Sequence, residues 1–304
     1  MCTYNGERFL AAQIDSILNQ TWKNLELVIV DDCSTDGTLA IAEERGQKDH
    51  RIRIYKNARN LGINQNFSHA LSLCQGELIA PCDQDDIWHL DKLMRLQNQL
   101  GDHVMAYCDS DLMNSDGSPM NMRISDRLQM YQGHQPAVFA FWNCISGHAM
   151  LFKRTLLEQA LPIPPIKFHD WWLAFWAATV GEIKYVDEAL VQYRQHAGGQ
   201  TDISRQVNRV EVGNRADLFK ERCKWFSYLA SVPSQDQAYL QTLSNLYQAQ
   251  SKQWLSFELI RHLRLRANDL LYINKKKSFF RFALKHFGDL KAKAFFSPSK
   301  YQTD

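Results

Sequence analysis

Residues 25–32 read LELVIVDD, six strand-forming residues followed at once by two carboxylates. The apolar run over residues 27–30 within it suits a strand buried on both faces, which requires helices packed on either side of a sheet. The carboxyl edge of such a sheet is where open α/β folds bind ligands. The residues that follow, CSTDGT, permit a second reading. Asp32, Ser34, Asp36, Gly37 and Glu43 match the spacing of an EF-hand calcium loop. That motif needs an entering helix, and the run before Asp31 is β-type. The sequence also carries no second copy to pair with it. Ser34, Asp36 and Gly37 are then expected to turn the chain and cap the next helix.

The arrangement recurs in LIAPCDQDDIW, residues 78–88, where a short apolar run leads into Asp83, Asp85 and Asp86. Two unit charges ~4 Å apart repel by about 4 kcal/mol at an effective dielectric of ~20. Three carboxylates within four residues therefore call for a cation, and hard oxygen ligands suit Mg²⁺ or Mn²⁺. The plainer alternative is that Asp86 or Asp91 caps the helix of Leu93 and Leu96 while the other acids face water.

Around these two stretches, strands are expected at 25–30, 52–55, 78–81, 104–107, 149–152 and 184–186. Helical spacing falls at Phe9, Ile14, Ile17 and Leu18, and again at Leu90, Leu93, Leu96 and Leu100. The pattern is α/β, a mostly parallel sheet with helices on both faces. After YRQHAGGQTD, residues 193–202, β-branched runs give way to Leu, Gln, Lys, Arg and aromatics. This predicts two regions, a ligand-binding domain over 1–202 and a helical region over 203–304, with Pro233 bounding one of about three helices.

Seven cysteines, an odd count without a Cys-x-x-Cys pair, point to a reducing, cytosolic setting. No run of eighteen apolar residues is present, so neither a membrane span nor a secretion signal is expected. The net charge of +2 is unevenly spread. Ten Lys/Arg stand against two Asp between Arg261 and Lys293, which leaves about −6 for residues 1–260. The basic end, LIRHLRLRANDLLYINKKKSFFRFALKHFG, mixes apolar and cationic residues at helical spacing. That composition fits a helix lying on an anionic membrane surface; the alternative is a helix packed on protein with a solvated basic side. The acidic remainder argues against nucleic acid as a partner.

The stretches TYNGERFLAAQIDSILNQTWKNLELVIVDDCSTDGT, NLGINQNFSHAL and GELIAPCDQDDIWHLDKL, followed by NCISGHAMLFKR, HDWWLAFWAATVG and YRQH, resemble family 2 glycosyltransferases over about residues 3–200. These are inverting enzymes of the glycosyltransferase-A fold. DQDDIW and HDWW are most similar to bacterial rhamnosyltransferases of polysaccharide assembly. The resemblance implies a nucleotide diphosphate sugar donor, a lipid-linked or growing cell-surface glycan acceptor, and a Mg²⁺ or Mn²⁺ cofactor. With the basic end, it also implies a place on the inner face of the cell membrane. Within the family pattern Asp85 is the metal ligand of the Asp-x-Asp motif, with Asp83 near the ribose or the metal. Asp32 corresponds to the acid that meets the pyrimidine N3–H, and Thr3 and Tyr4 to the segment lining the base. Asn60 and Asn66 are candidates for completing the pocket, although amides flanking a glycine are common turn residues.

An inverting displacement also needs a base for the acceptor hydroxyl. Asp170 is the candidate, a carboxylate at the head of the apolar helix that follows it, where burial raises a carboxyl pKa. Capping that helix is its plain alternative. His196 resembles the late histidine that reaches the metal or diphosphate, and Arg194 is a candidate diphosphate contact, with His148 and His169 behind them. Two other classes remain open. A sugar-phosphate nucleotidyltransferase would need a basic glycine-rich loop near residue 1, which is not found; a non-catalytic nucleotide-sugar-binding protein would tolerate loss of the acids. Finally, TYNGE in the family follows an apolar strand of about six residues, whereas only Met1 and Cys2 precede Thr3 here. The first strand is expected to be truncated, with Met1 a misplaced start.

Overall fold

The computed structural model describes residues 1–199, 201–202, 207–208, 215–250, 256–275, 278, 279 and 282. The chain forms two compact units, residues 1–134 with 143–199, and residues 135–142 with 200–304.

The first unit opens with β1 (Cys2–Thr3), α1 (Leu10–Leu18), β2 (Leu27–Asp31), α2 (Thr38–Lys48) and β3 (Ile52–Lys56). It continues through α3 (Ile63–Leu73), β4 (Leu78–Ile79), β5 (Ile87–Trp88), α4 (Lys92–Leu100), β6 (Met105–Asn114) and β7 (Pro119–Arg123). Short helix α5 (Ile124–Arg127), β8 (Met150–Lys153), short helix α6 (Leu157–Ala160), α7 (His169–Val180) and β9 (Ile183–Gln195) complete it.

Strands β1, β2 and β3 form a parallel sheet in which Thr3 faces Asp31 and Asp31 faces Lys56. Every residue of β2 is buried. Leu27 and Ile29 pack with Leu10, Ile14 and Ile17 of α1 and with Leu96, while Val28 and Val30 pack with Ala70 on the opposite side. At about 1.5–3 kcal/mol for each large side chain, this two-sided burial explains the unbroken apolar run. Ahead of β1, the Met1 amino group donates to Val28 O at 2.7 Å and Met1 is buried.

The second sheet runs β4–β8–β6–β9–β5, with β7 on β6. Here the expectation of mostly parallel strands is corrected. Only β6 and β9 run parallel, whereas β4–β8, β6–β8, β6–β7 and β5–β9 are antiparallel. Both long strands exceed the apolar segments that mark them in the sequence. In β6 burial continues through the polar Asp109 and Ser110, so the run ending at Tyr107 marks only its first third. Helix α7 buries Trp172, Leu173, Phe175 and Ala177 around its circumference, the pattern of a helix enclosed by its own unit.

The second unit contains β10 (Thr201–Asp202), β11 (Val207–Asn208), α8 (Arg215–Ser231), α9 (Gln237–Gln250), α10 (Phe257–Leu265) and α11 (Ala267–Leu270). The boundary expected at 202–203 leaves residues 135–142 in the first unit. They pack instead with the helices of the second. Buried Asp236 accepts from Ala137 N at 2.9 Å and Gln135 Nε2 at 2.8 Å, and Trp225 Nε1 donates to Ala140 O at 3.0 Å. Among the described residues, no helix is long and apolar enough to cross a membrane. Most of the basic end after Lys275 lies outside the described residues.

Candidate active site

The end of β2 carries the first part of the site. Asp31 and Asp32 are both buried and point to different partners. Asp31 accepts from Thr3 Oγ1 at 3.1 Å and from Ser34 N at 2.9 Å, which fixes β1 and the turn after β2. Asp32 accepts from Leu61 N at 2.8 Å, Gly62 N at 2.9 Å and Asn57 Nδ2 at 2.8 Å. Gly62 has φ +79°, a conformation that favours glycine, and so presents its N–H to the carboxylate. Asn60 Nδ2 donates to Asp32 O at 3.2 Å, and buried Asn66 donates to Val30 O at 3.1 Å. Tyr4 is half exposed, and its backbone is clamped by Gln84 through bonds of 2.8 and 3.0 Å. Thr3, Tyr4, Asp32 and Asn60 thus come together on one rim. In CSTDGT, Asp36 accepts from Thr38 N at 3.0 Å and from Glu7 N at 3.2 Å. The segment is a turn before α2.

Asn57 is the residue the sequence reading missed here. Its amide joins Asp32 to Asn66 Oδ1 at 2.9 Å, and its oxygen meets His69 Nδ1 at 3.0 Å. A single asparagine after a strand carries no motif, so only the packed structure reveals it. Asn57→Ala leaves several buried polar groups unpartnered, at a cost of about 1–3 kcal/mol. We expect thermal denaturation to register a fall of several degrees; a change under ~1 °C would show that the network does not hold the loop.

The second part lies where β5 pairs with β9. The register Ile87–Gln192 and Trp88–Val191 carries the acids just before β5 toward Arg194 and the residues after it. His196 Nε2 lies 2.7 Å from Asp85 Oδ2. Arg194 is buried, and it donates from N to Asp86 Oδ1 at 3.0 Å, from Nε to Asp85 O at 2.8 Å and from Nη1 to Ser115 O at 3.2 Å. Its guanidinium thereby pins the backbone of Asp85. His148 is buried between the acids and β6. Its Nδ1 is 3.3 Å from Asp86 Oδ2 and 3.7 Å from Asp83 Oδ2, and its Nε2 is 3.0 Å from Ser110 Oγ. Burial and the charges of Asp85 and Asp83 push the Asp86 carboxyl well up. Burial also acts to raise Asp83, but the imidazoles of His148 and His169 outweigh it and hold that group below its ordinary value. Lys92, fully buried on α4, donates to His148 O at 2.7 Å and stands 3.1 Å from the Trp88 ring centroid. Burial pulls its ammonium down to about 7.

The third part is the head of α7. Phe168 precedes the first turn and Asp170 lies within it, so Asp170 is not the N-cap. Burial, then the charge of Asp83, pushes the Asp170 carboxyl up to about 7 against the backbone N–H groups of Trp171 and Gly147. Beside it, His169 stacks on Phe67 with centroids 3.5 Å apart, and neither ring nitrogen has a hydrogen-bond partner among the described residues. Burial pulls this imidazole down to about 4. A Cβ on Gly147 would lie 2.5 Å from His169 Nε2, so the approach requires glycine.

These groups suit a hard divalent cation. Ligand atoms of Asp83, Asp86 and His148 lie within 4.8 Å of one another, and Asp86 Oδ2 is a buried acceptor with no hydrogen-bond partner among the described residues. The Asp85–His196 contact adds a second oxygen and nitrogen pair.

Comparison with known proteins agrees with this architecture. The chain is 28% identical over 225 residues to an uncharacterized glycosyltransferase of Nostoc sp., covering 71% of this chain and 70% of that one. It is 33% identical over 121 residues to the putative teichuronic acid biosynthesis glycosyltransferase TuaG of Bacillus subtilis, 39% of this chain and 48% of the relative. Among solved structures, S. aureus TarS 1–349 in complex with UDP-GlcNAc matches with a TM-score of 0.60 at 16% identity, over 100% of this chain and 92% of that one. The mannosyltransferase PcManGT of Pyrobaculum calidifontis, in complex with GDP-Man and Mn²⁺, matches with a TM-score of 0.53 at 17% identity, over 97% and 85%. At these identities the two structures establish a shared α/β fold of the glycosyltransferase-A kind. Residues 1–161, just over half of the chain, match the family described as Glycosyl transferase family 2, and the chain belongs to that family.

Proposed function

We propose that this protein transfers a sugar, with inversion, from a nucleoside diphosphate donor to a growing cell-surface polysaccharide or lipid-linked glycan. The observation that carries the reading is the contact of His196 Nε2 with Asp85 Oδ2 at 2.7 Å, formed across 111 residues. Thr3, Tyr4, Asp32 and Asn60 line the base and ribose. Asp85, His196 and Asp83 hold Mg²⁺ or Mn²⁺, which supplies positive charge for the departing diphosphate when bound. Asp170 takes the proton of the attacking hydroxyl. Rhamnose is the donor sugar that the DQDDIW and HDWW segments favour. Incubating the full chain with UDP-, GDP- and dTDP-sugars, with and without Mn²⁺, tests this directly. Release of a nucleoside diphosphate only in the presence of the metal is the expected result; no release from any donor would overturn it.

We also propose contact with an anionic membrane through the basic end. Leu259 and Leu263 of α10 are buried in their own unit, while Phe257 and Leu265 are exposed. Seven of the chain's Lys/Arg residues lie within 276–304. Each is worth about 1 kcal/mol near an anionic surface. Removing residues 276–304 should therefore release the chain from phosphatidylserine vesicles, and binding of the intact chain should weaken as salt rises. Salt-insensitive binding, or equal binding by the shortened chain, would count against this surface.

A further inference from the structure

Two guanidinium groups and an imidazole gather around the ring of Phe9, the residue that opens α1. The guanidinium carbons of Arg194 and Arg8 lie 4.6 and 4.8 Å from its centroid, and the His196 ring lies 5.0 Å away. Two of the three have polar partners nearby: His196 meets Asp85, and Arg194 donates to backbone carbonyls. Arg8 differs. It is exposed, and among the described residues it has no carboxylate or carbonyl partner. Its charge acts on Arg194 as a like-charge neighbour.

The backbone under Arg8 is fixed. Phe9 N and Leu10 N donate to Gly6 O at 3.0 and 3.1 Å, Glu7 N donates to Asp36 Oδ2 at 3.2 Å, and Glu7 Oε2 accepts from Gly37 N at 2.7 Å. A rigid turn thus holds a free guanidinium over an aromatic face, next to a second guanidinium and to the Asp85–His196 pair. Cation–π contact steadies the side chain without using its N–H donors. The donors remain available to an anion, and an arginine fork matches phosphate oxygens two at a time.

We propose that Arg8 binds the diphosphate of the donor, completing from the α1 side a site whose other side is formed by Asp85 and His196. This rests on the donor reading above. Arg194 then serves to position Asp85, and Arg8 carries the charge that faces the phosphates.

The test uses the full chain, its Arg8→Gln and Arg8→Lys variants, and UDP, GDP and dTDP titrated calorimetrically with Mn²⁺. The matching nucleosides are followed by ligand NMR. For whichever diphosphate the native chain binds, Arg8→Gln should weaken affinity by about tenfold or more while leaving the nucleoside unchanged. Arg8→Lys, which keeps the charge but not the fork, should fall between. Equal diphosphate affinity in native chain and Arg8→Gln overturns the inference, and so does an equal loss of nucleoside. A defect that appears only with added acceptor also overturns it, since Arg8 would then meet the acceptor. If the native chain binds none of the three diphosphates, the donor reading itself fails, and this assignment with it.

Discussion

Asp85→Asn should abolish the metal-dependent part of donor binding if Asp85 is the metal ligand proposed above. The native carboxylate meets His196 and lies near Asp83 and Asp86, and burial, then the charges of Asp85 and Asp83, push the Asp86 carboxyl well above its ordinary pKa. Such crowding is tolerable when a divalent cation is shared, and the cation in turn cancels charge on the diphosphate. The amide keeps the shape of the side chain but removes one full charge from the ligand set. Calorimetric titration of the accepted nucleoside diphosphate, with and without Mn²⁺, reads the effect. Native affinity should rise by at least about tenfold on adding Mn²⁺, and the variant should show no such rise. A metal effect of native size in Asp85→Asn would remove Asp85 from the ligand set and leave Asp83, Asp86 and His148 as the better candidates.

The sequence was most legible where local pattern and tertiary environment agree. LELVIVDD announces a doubly buried strand ending in acids, and β2 is that strand. The motif acids, Asp32, Asp83 and Asp85, lie directly after short apolar runs, so their approximate place followed from the runs. Long-range register was much harder to read. Nothing local tells that β9 continues through Arg194 to Gln195, or that its antiparallel pairing with a two-residue β5 brings His196 to Asp85. Asn57, Lys92 and the full burial of Asp86 were illegible for a related reason. Their roles come from burial among partners distant in sequence, as when Lys92 reaches His148 O across 56 residues. The antiparallel strands of the second sheet also escaped notice, because an apolar segment carries no mark of its direction. Residues 135–142 joined the second unit through Asp236, a contact no composition boundary near 202 could reveal.

Asp170→Asn should lower transfer by at least ~10²-fold while leaving nucleoside diphosphate affinity near native, the behaviour of a lost general base. The same substitution makes a separate prediction about stability. The Asp170 carboxyl is raised from 3.8 to about 7, so the folded chain holds that proton more tightly than the unfolded chain does. For an acid shifted in this direction, the stability penalty is absent below the unfolded pKa. It grows between about pH 4 and 7 and is constant above the folded pKa. An asparagine carries no charge to desolvate. Melting temperatures of native and variant chains should therefore converge near pH 4, with the variant the more stable at pH 8. Under the proposed role, transfer by the native chain should rise with pH through the neutral range, because a general base works as the carboxylate; a bound Mn²⁺ would shift that rise to lower pH by favouring the charged state. The combination separates the roles. A residue that merely supported α7 would lose stability on substitution at every pH, with activity falling in proportion. Loss of turnover together with gained stability at pH 8 identifies a carboxylate kept in an unfavourable place for its chemistry. Weakened diphosphate binding with turnover largely intact, or a variant less stable at pH 8, would instead make Asp170 a structural residue of the helix start.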